Sequence, residues 1–540
     1  MGSESLSTDH VKEQALPSHT SPRDDTECGI GNPDLLRGSA FWLVTAALAV
    51  QVFIVNLEIP VVTTSLVAIT HDLNGFDKIS WVVSSYLLGY SAVIVIFAKF
   101  SDIYGRKPVF VSSIAAFTIF SAACSASQTM TQLIVFRAFQ GIGGGGCFSL
   151  SQVIITDIVK PDQLSKYVSQ LSIVSSLAML FGPIVGGAIS SHTTWRWIFI
   201  INVPVSIVAL ALTVWGMPGR LGFRGRSPAI SKSPLARLDI LGTILLLFAV
   251  VLLTAGFEEA GSDFPWKSAY VIVVLVLPGL FWISLVLWER HITMKNSLRE
   301  PVLPWRFFTN RAMIGAILAL LFLGGPIVVS LFQLPEKFQL VYGLSGLDAG
   351  VRLIPFSLAV PFGTGIGSGV ASKLKIPAIF IIMAGSVLQV IGFTLLGTLP
   401  DTLTIPARMY SFEILAGFGC GMSFTPLFLV ITRAVDSTDL PVGLGTGNQF
   451  RLVGSAIIIA VATSIFNGYI RGELVDLLDS DAISLVSLGQ ELASLPADKQ
   501  DVVRIVLSQG FRQQMLVLAG SAGAQIPPSF LFWRKQQIMI

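Results

Sequence analysis

Two residues of opposite charge, Glu58 and Arg137, lie inside long apolar stretches, where an isolated charge is energetically costly. Burial in a dry pocket favours the neutral form of a carboxyl group, whereas a neighbouring guanidinium favours the carboxylate. A carboxyl group held between these opposing influences can bind a proton and release it as the pocket opens. Glu58 and Arg137 are therefore candidate proton-coupling residues, with a permanent ion pair between them as the alternative. Glu413, near the end of a third apolar stretch, is a further candidate.

A second group of charges follows another apolar stretch, within residues 98–107. Gly105 permits a tight turn there, and Asp102 stands among the cations Arg106 and Lys107. A charge pair in the thin layer at a membrane surface is stronger than the same pair in bulk water. The cluster can therefore hold helix ends together in one conformation and release them in another. Anchoring by cations alone would explain Arg106 and Lys107, but it would not explain Asp102.

A glycine-rich run follows Arg137 in the same apolar stretch. Gly141, Gly143 and Gly146 have the spacing of a dinucleotide-binding loop. No predicted strand precedes them and the run lies inside a hydrophobic segment, so we reject a nucleotide site. Glycines within a membrane helix instead permit close contact with neighbouring helices.

A stripe of small residues marks a later segment, because Ala178, Gly182 and Gly186 recur at every fourth position. Pro183 removes a backbone hydrogen bond and bends a helix, and Gly187 follows the stripe. A bent, closely packed helix suits an interface that moves, although packing alone would also explain the stripe. We predict a helix bend formed by Gly182, Pro183, Gly186 and Gly187.

The overall composition identifies the elements that must position these residues. The 540-residue chain is 53% hydrophobic and 12% charged, with a mean hydropathy of +0.74, whereas soluble proteins carry about 25% charged residues. The net charge of +3 is too small to indicate a nucleic-acid partner, and the four cysteines have no disulfide or metal spacing. The composition predicts an all-α polytopic membrane protein.

A helix needs about 20 apolar residues to cross a bilayer, and about fourteen windows of that kind occur. The predicted spans start near Phe41, Ile79, Val109, Thr131, Ser165, Trp197, Asp239, Ala269, Ala312, Gly346, Pro377, Arg408, Val442 and Gln513. Lysine and arginine accumulate in the loops after the second, sixth and eighth spans, and acidic residues follow the seventh and thirteenth. The positive-inside rule therefore places both termini in the cytoplasm. Arg196, between Trp195 and Trp197, is an exception on the outer side.

An even number of spans with two basic connectors suggests two halves separated by an additional helix pair. The predicted units are a disordered cytoplasmic tail (1–38), a six-helix bundle (39–217), a basic loop (218–238), two additional helices (239–290), a linker (291–311), a second six-helix bundle (312–534) with a long extracellular loop (468–511), and a short tail (535–540).

These motifs, in this order, resemble the major facilitator superfamily, and in particular its fourteen-span drug:proton antiporters of the fungal toxin and multidrug efflux type. The matching positions are Asp102, Gly105, Arg106 and Lys107 between spans two and three; Arg137, Gln140 and Gly141 in span four; Gly182, Pro183, Gly186 and Gly187 in span five; Trp195 to Phe199 with Asn202 and Pro204 at span six; and Arg352 to Pro355 and Phe450 to Gly454 in the second half. The chain departs from the pattern at Ala98 and Ala178, where glycine is usual. In the first span Glu58 replaces the usual aspartate and Pro60 the usual threonine.

The resemblance implies two pseudo-symmetric six-helix bundles, with two additional central spans and a site near the membrane midplane. It implies a proton gradient as the energy source and no cofactor; the sequence also lacks the glycine-lysine run of an ATP site. The expected partners are protons, the lipid bilayer and a small organic substrate, with no nucleic acid. We expect a monomer in the plasma membrane, with a vacuolar or vesicular membrane as the alternative.

Polar side chains within apolar spans are the candidate substrate contacts. They are Asn56, Gln140, Gln333, Gln339, Arg352, Gln449 and Arg451. A mostly apolar cavity with few fixed charges suits a hydrophobic or amphipathic molecule such as a toxin, secondary metabolite or drug. We therefore predict a proton-coupled exporter, with an importer of a siderophore, amino acid or other nutrient, or a transporter-like sensor, as alternatives. An enzyme is disfavoured, because no histidine lies deep in a span beside a carboxylate pair.

Overall fold

The computed structural model describes residues 36, 38–73, 78–160, 163–219, 221, 238–260, 264–295, 299–436, 439–478 and 496–533. The predicted terminal tails and the basic loop lie almost wholly outside these residues. Over the described residues the chain is helical, and the only β-type pairings are two isolated bridges, Leu238 with Glu300 and Ala260 with Phe264. The predicted all-α fold class is confirmed.

Fourteen helices in the described part of the chain are long and apolar enough to cross a membrane. They are α1 (Ser39–Thr63), α2 (Ile79–Tyr104), α3 (Arg106–Ser125), α4 (Met130–Ile158), α5 (Leu164–His192), α6 (Trp197–Ile200, then Asn202–Gly216), α7 (Ile240–Glu259), α8 (Ala269–Met294), α9 (Arg311–Leu340), α10 (Gly346–Arg352, then Ile354–Lys373), α11 (Ala378–Gly397), α12 (Arg408–Ala434), α13 (Leu440–Leu478) and α14 (Ala497–Ala524). Short helices Leu66–Asp72, Arg306–Thr309, Ile526–Ser529 and Phe530–Phe532 lie between or after them.

Local sequence explains several helix ends. The side chains of Thr129 and Ser345 cap α4 and α10 by accepting hydrogen bonds from backbone N–H groups of the first turn. Gly105 has φ of 93°, a conformation that glycine adopts without strain, and it both ends α2 and starts α3. The tight turn predicted at Gly105 is confirmed.

The structure gives other helix bounds than the predicted loop over 468–511 and the predicted start of the fourteenth span near Gln513, and residues 479–495 lie outside the described residues. Helix α13 continues to Leu478 and α14 already begins at Ala497. Apolar residues at every fourth position continue along both helices and pack together. They are Phe466, Ile470 and Leu474 on α13 and Val503, Leu507 and Phe511 on α14, all buried. The charged residues between them lowered the average hydropathy and hid the helices from a search for uniformly apolar windows.

The buried apolar residues form two large clusters, one for each half of the chain. One is built almost entirely from α1 to α6, around residues such as Ile114 and Phe117. The other is built mainly from α9 to α14, around residues such as Phe356 and Phe393. The additional pair α7 and α8 pack on each other, and α7 also contacts α2 and α13. Many apolar side chains of α8 are exposed in the isolated chain, as a lipid-facing helix requires.

The glycine-rich run brings α4 into direct contact with two neighbouring helices. A Cβ atom at Gly141 would lie 2.2 Å from the carbonyl oxygen of Tyr86 on α2, and one at Gly143 would lie 2.4 Å from the backbone nitrogen of Phe117 on α3. No side chain fits at these two positions, so the predicted role of the run in close helix contact is confirmed.

We predict that Gly141→Ala destabilises the protein by about 1–3 kcal/mol, because the added methyl group overlaps the backbone of α2. Gly365→Ala is the matched control: Gly365 lies within α10, and a Cβ atom there meets nothing within 4 Å. Thermal unfolding of the purified, detergent-solubilised variants measures both effects. Equal midpoints for the two variants would contradict the close contact between α2 and α4.

Candidate functional site

A fully enclosed ion pair joins α1 and α4. The Oε1 atom of Glu58 lies 2.5 Å from Nη1 of Arg137, with 2% of Glu58 and none of Arg137 exposed. The same Oε1 atom accepts a hydrogen bond from Nε2 of Gln140 at 3.0 Å. The Oε2 atom accepts one from Nδ2 of Asn202, on α6, at 2.5 Å. The predicted pairing of Glu58 with Arg137 is present in the structure.

A second set of contacts anchors this pair to α2 and α3. Nε of Arg137 donates to the carbonyl oxygen of Val82 at 3.0 Å, and the guanidinium carbon lies 4.4 Å from the centre of the Tyr86 ring. Nε2 of Gln140 also donates to the Ser121 hydroxyl at 2.6 Å. The resulting Glu58 network therefore draws on five of the six helices of the first bundle, α1 to α4 and α6.

The Glu58 network is arranged for a negative charge. The side-chain groups that contact Glu58 from Arg137, Gln140 and Asn202 all donate hydrogen bonds, and an ionised carboxylate only accepts them. A protonated carboxyl group would present an O–H to this ring of donors. Binding of a proton must therefore break or reorient at least one contact. The site can couple a change in protonation to a change in helix packing.

Sequence reasoning missed some members of this network. Asn202 is indicated only by the family resemblance, and Ser121 and Tyr86 are not among the predicted site residues. The detectable signal was a polar side chain inside an apolar span, which all three share.

The residues that were predicted to form a conformational gate lie together at the opposite end of α2. Nη1 of Arg106 lies 2.6 Å from Oδ1 of Asp102, and Nε lies 2.8 Å from Oδ2 of Asp157 at the end of α4. Arg106 is 3% exposed, so both pairs are shielded from water. Asp157 was not predicted, although an acid at the end of an apolar span was a visible signal. Lys107 is half-buried and donates to the carbonyl oxygen of Val214 on α6 at 2.8 Å.

The small residues of α5 that were predicted to accompany a bend contact two different partners. Gly182 and Gly186 pack against Pro60 and Val61 of α1, in the same bundle. Pro183 and Gly187 contact Gly350 and Leu347 of α10, in the other bundle. Helix α5 therefore touches both halves at once.

A central cavity lies between the two bundles. Its lining comes from α1, α4, α5, α9, α10, α12 and α13, and is mostly apolar. Of the seven predicted substrate contacts, Asn56 and Arg451 line this cavity. Asn56 is two residues from Glu58, so α1 presents one residue to the cavity and the other to the bundle interior.

The other predicted contacts lie elsewhere, which corrects the prediction that they share one cavity. Gln140 belongs to the Glu58 network, and Gln339 lines a separate vestibule beside Trp195 and Arg196. Arg352 donates to the Tyr410 hydroxyl. Gln333 and Gln449 are buried but are not among the residues lining the central cavity.

Glu413 lies in α12, and none of its surface is exposed. Neither of its carboxylate oxygens has a hydrogen-bond partner in the described part of the chain. Lys337 of α9 is also buried and acts on it electrostatically. Glu413 is therefore enclosed although it lies near the start of α12, a helix that packs against α10 and α11.

Comparison with known proteins identifies the fold. Residues 41–459 match the sequence profile of the Major Facilitator Superfamily. The chain belongs to this superfamily. It is 34% identical to the MFS-type transporter FPY5 of Fusarium mangiferae over 88% of this chain and 80% of that protein. It is 27% identical to the rubrofusarin-specific efflux pump aurT of Gibberella zeae over 90% of this chain and 88% of that protein.

A bacterial relative and solved structures agree with this assignment. The chain is 31% identical to multidrug resistance protein 3 of Bacillus subtilis over 78% of this chain and 80% of that protein. A bacterial homologue of the human lysosomal transporter Spinster, in an inward-facing and unoccupied conformation, superposes with a TM-score of 0.60 at 15% identity, covering 93% of this chain and all of that one. The chain is a multi-pass secondary transporter of the Major Facilitator Superfamily and not an enzyme.

We predict that Asp157→Asn lowers the transport rate about tenfold, because Arg106 loses the buried one of its two carboxylate partners and a charged partner contributes about 1.5–3 kcal/mol. The exposed Asp501→Asn serves as the matched control. Initial rates in proteoliposomes and thermal midpoints measure the effect. If Asp157→Asn matched Asp501→Asn in both assays, Asp157 would have no part in the gate.

Proposed function

We propose that this chain is a proton-coupled antiporter that exports a hydrophobic or amphipathic small molecule by alternating access. The observation that carries the proposal is the Glu58 network, an enclosed carboxylate surrounded by hydrogen-bond donors. Relatives named as efflux pumps support export over import. No comparable observation favours a nutrient importer or a sensor.

Protonation of Glu58 supplies the switch. In the ionised state, the attraction between Glu58 and Arg137 is strong because the surrounding dielectric is low. A proton on Glu58 removes that attraction and leaves Arg137 as a buried cation without a counter-ion, which is strongly unfavourable. The network then rearranges, and α1 shifts relative to α4 and α6.

A shift of α1 reaches the other bundle through α5. Pro60 and Val61 follow Glu58 closely on α1 and pack against Gly182 and Gly186. The same stretch of α5 contacts α10 through Pro183 and Gly187. A change at Glu58 is thereby passed from α1 to α5 and then across the boundary between the bundles. This path supports the proposal that Gly182, Pro183, Gly186 and Gly187 take part in the coupling.

The gate residues and the second carboxyl group complete the proposed cycle. The cluster of Asp102, Arg106, Lys107 and Asp157 holds the ends of α2, α3 and α4 in one state and releases them in the other. Glu413 is a candidate for a second proton site, because its carboxylate oxygens have no described hydrogen-bond partner. The proton gradient supplies the energy, with no cofactor.

The substrate is proposed to bind in the central cavity, in contact with Asn56 and Arg451. We propose a monomer as the working unit. We propose the plasma membrane as the site of action, because export of a toxin or metabolite then clears it from the cell.

We predict that Glu58→Gln abolishes transport driven by a pH gradient but preserves exchange of substrate for substrate. Glutamine has nearly the same shape but cannot gain or lose a proton. The loss of gradient-driven transport should be at least about tenfold, equivalent to about 1.4 kcal/mol. A fluorescent amphipathic compound, chosen by reduced retention in pump-deficient yeast expressing the chain, serves as the probe in proteoliposomes.

The exposed Glu473→Gln controls for the substitution itself, and a protonophore controls for the gradient. Loss of both gradient-driven transport and exchange in a folded Glu58→Gln protein would show that Glu58 has only a structural role, as a member of the ion pair. Retention of gradient-driven transport in Glu58→Gln and its loss in Glu413→Gln would move the proton site to Glu413. Higher retention in cells expressing the wild type would contradict export.

A further inference from the structure

The central cavity contains a cation without an anionic partner. Arg451 of α13 lines the cavity and is 4% exposed. Its Nε and Nη2 atoms donate to one neutral acceptor, Oδ1 of Asn448, at 3.1 and 2.9 Å. The guanidinium carbon lies 5.6 Å from the centre of the Phe424 ring. Neither contact supplies a full negative charge.

The other two fully buried arginines are compensated. Arg137 lies 2.5 Å from Glu58, and Arg106 lies 2.6 Å from Asp102 and 2.8 Å from Asp157. In the part of the chain that the structure describes, Arg451 forms no ion pair. Its Nη1 atom donates to no described acceptor either, so that nitrogen is available to a bound molecule.

Arg451 is also the one ionisable side chain among the residues that line the cavity. A buried charge is tolerated when it is paired, and an unpaired one carries a large desolvation cost. An anion that enters the cavity would remove that cost, and a cation would increase it. The charge of the cavity therefore selects for a negatively charged ligand.

The remaining lining indicates the rest of the ligand. Phe148, Phe356, Phe424 and Met179 offer aromatic and apolar surface to an organic body. The hydroxyl groups of Ser175 and Ser357 are enclosed and have no hydrogen-bond partner among the described residues. They add hydrogen-bonding capacity to an otherwise apolar wall. An inorganic anion would leave this apolar surface without a partner.

We propose that the transported molecule is an amphipathic organic anion, such as a carboxylate on an aromatic or aliphatic body, whose charged group binds Arg451. This proposal rests on the export function proposed above and specifies its substrate class. A guanidinium binds a carboxylate with two parallel hydrogen bonds, which also fixes the orientation of the bound molecule.

An anionic substrate makes the proposed cycle electrogenic. A proton that moves inward and an anion that moves outward transfer charge in the same direction. A membrane potential that is negative inside therefore drives both movements. Export of the anion should respond to the potential as well as to the pH gradient.

The test uses three probes that share one apolar body: 1-pyrenebutyric acid, 1-pyrenebutanol and a pyrenebutyl-trimethylammonium salt. Their binding to the purified full-length protein is measured by fluorescence, and their transport is measured in proteoliposomes. We expect the wild type to bind the acid at least about tenfold more tightly than the alcohol or the cation. Arg451→Gln should lose this preference, and Arg451→Lys should keep part of it.

The matched control is Arg433→Gln, which removes an exposed arginine that does not line the cavity and should leave the preference unchanged. Equal binding of the acid and the alcohol by the wild type would overturn the proposal. An equal loss of binding for all three probes in a folded Arg451→Gln protein would also overturn it. Preference of the wild type for the cation would overturn it as well. If the acid binds in an Arg451-dependent way but is not transported by a pH gradient, the proposal of an anionic substrate is supported and proton coupling is contradicted. If a pH gradient drives transport of the alcohol or the cation in preference to the acid, the proposed export function stands and the proposed anionic substrate is rejected.

Discussion

The ion pair between Glu58 and Arg137 is the interaction on which the first bundle depends. Each charge stabilises the other in the interior of the bundle, where an unpaired charge carries a large desolvation cost. The remaining hydrogen-bonding groups must also be satisfied, which explains why Gln140, Asn202 and Ser121 are gathered around the pair. Five helices contribute to the Glu58 network, so a single proton has the means to alter the packing of most of the bundle.

The two halves differ in how their buried charges are compensated. In the first half, Arg106 and Arg137 each have carboxylate partners within 2.8 Å. In the second half, Arg451 faces the central cavity with only a neutral amide oxygen and an aromatic ring beside it. This asymmetry suggests a division of tasks, in which the first half responds to protons and the second half binds the charged group of the substrate. Helices α1 and α5 connect the two tasks, because each borders the cavity and also packs within the first bundle.

Much of the fold could be predicted from the sequence, whereas most of the site could not. Apolar runs of sufficient length predicted all fourteen spans, and Gly105 predicted its turn, because length and glycine content act locally. The extension of α13 and α14 was missed because its apolar stripe is interrupted by exposed charged residues. The direction in which a side chain points was even harder to predict from the sequence. Helix α1 is apolar on every side, so its sequence contains no periodicity to show that Asn56 faces the cavity and Glu58 the bundle interior. Gln333 and Gln449 resembled Asn56 as polar residues in apolar spans, and only the packing of neighbouring helices separates them.

The central claim is that Glu58 gains and loses a proton during transport. Infrared difference spectroscopy of the purified protein tests it directly, because a protonated carboxyl group has a carbonyl stretching band distinct from that of a carboxylate. We predict that the band gained by the wild type as the pH is lowered includes a component from Glu58, which is missing in Glu58→Gln and remains in the exposed control Glu473→Gln. Persistence of the full band in Glu58→Gln would show that another group carries the proton and would contradict the account.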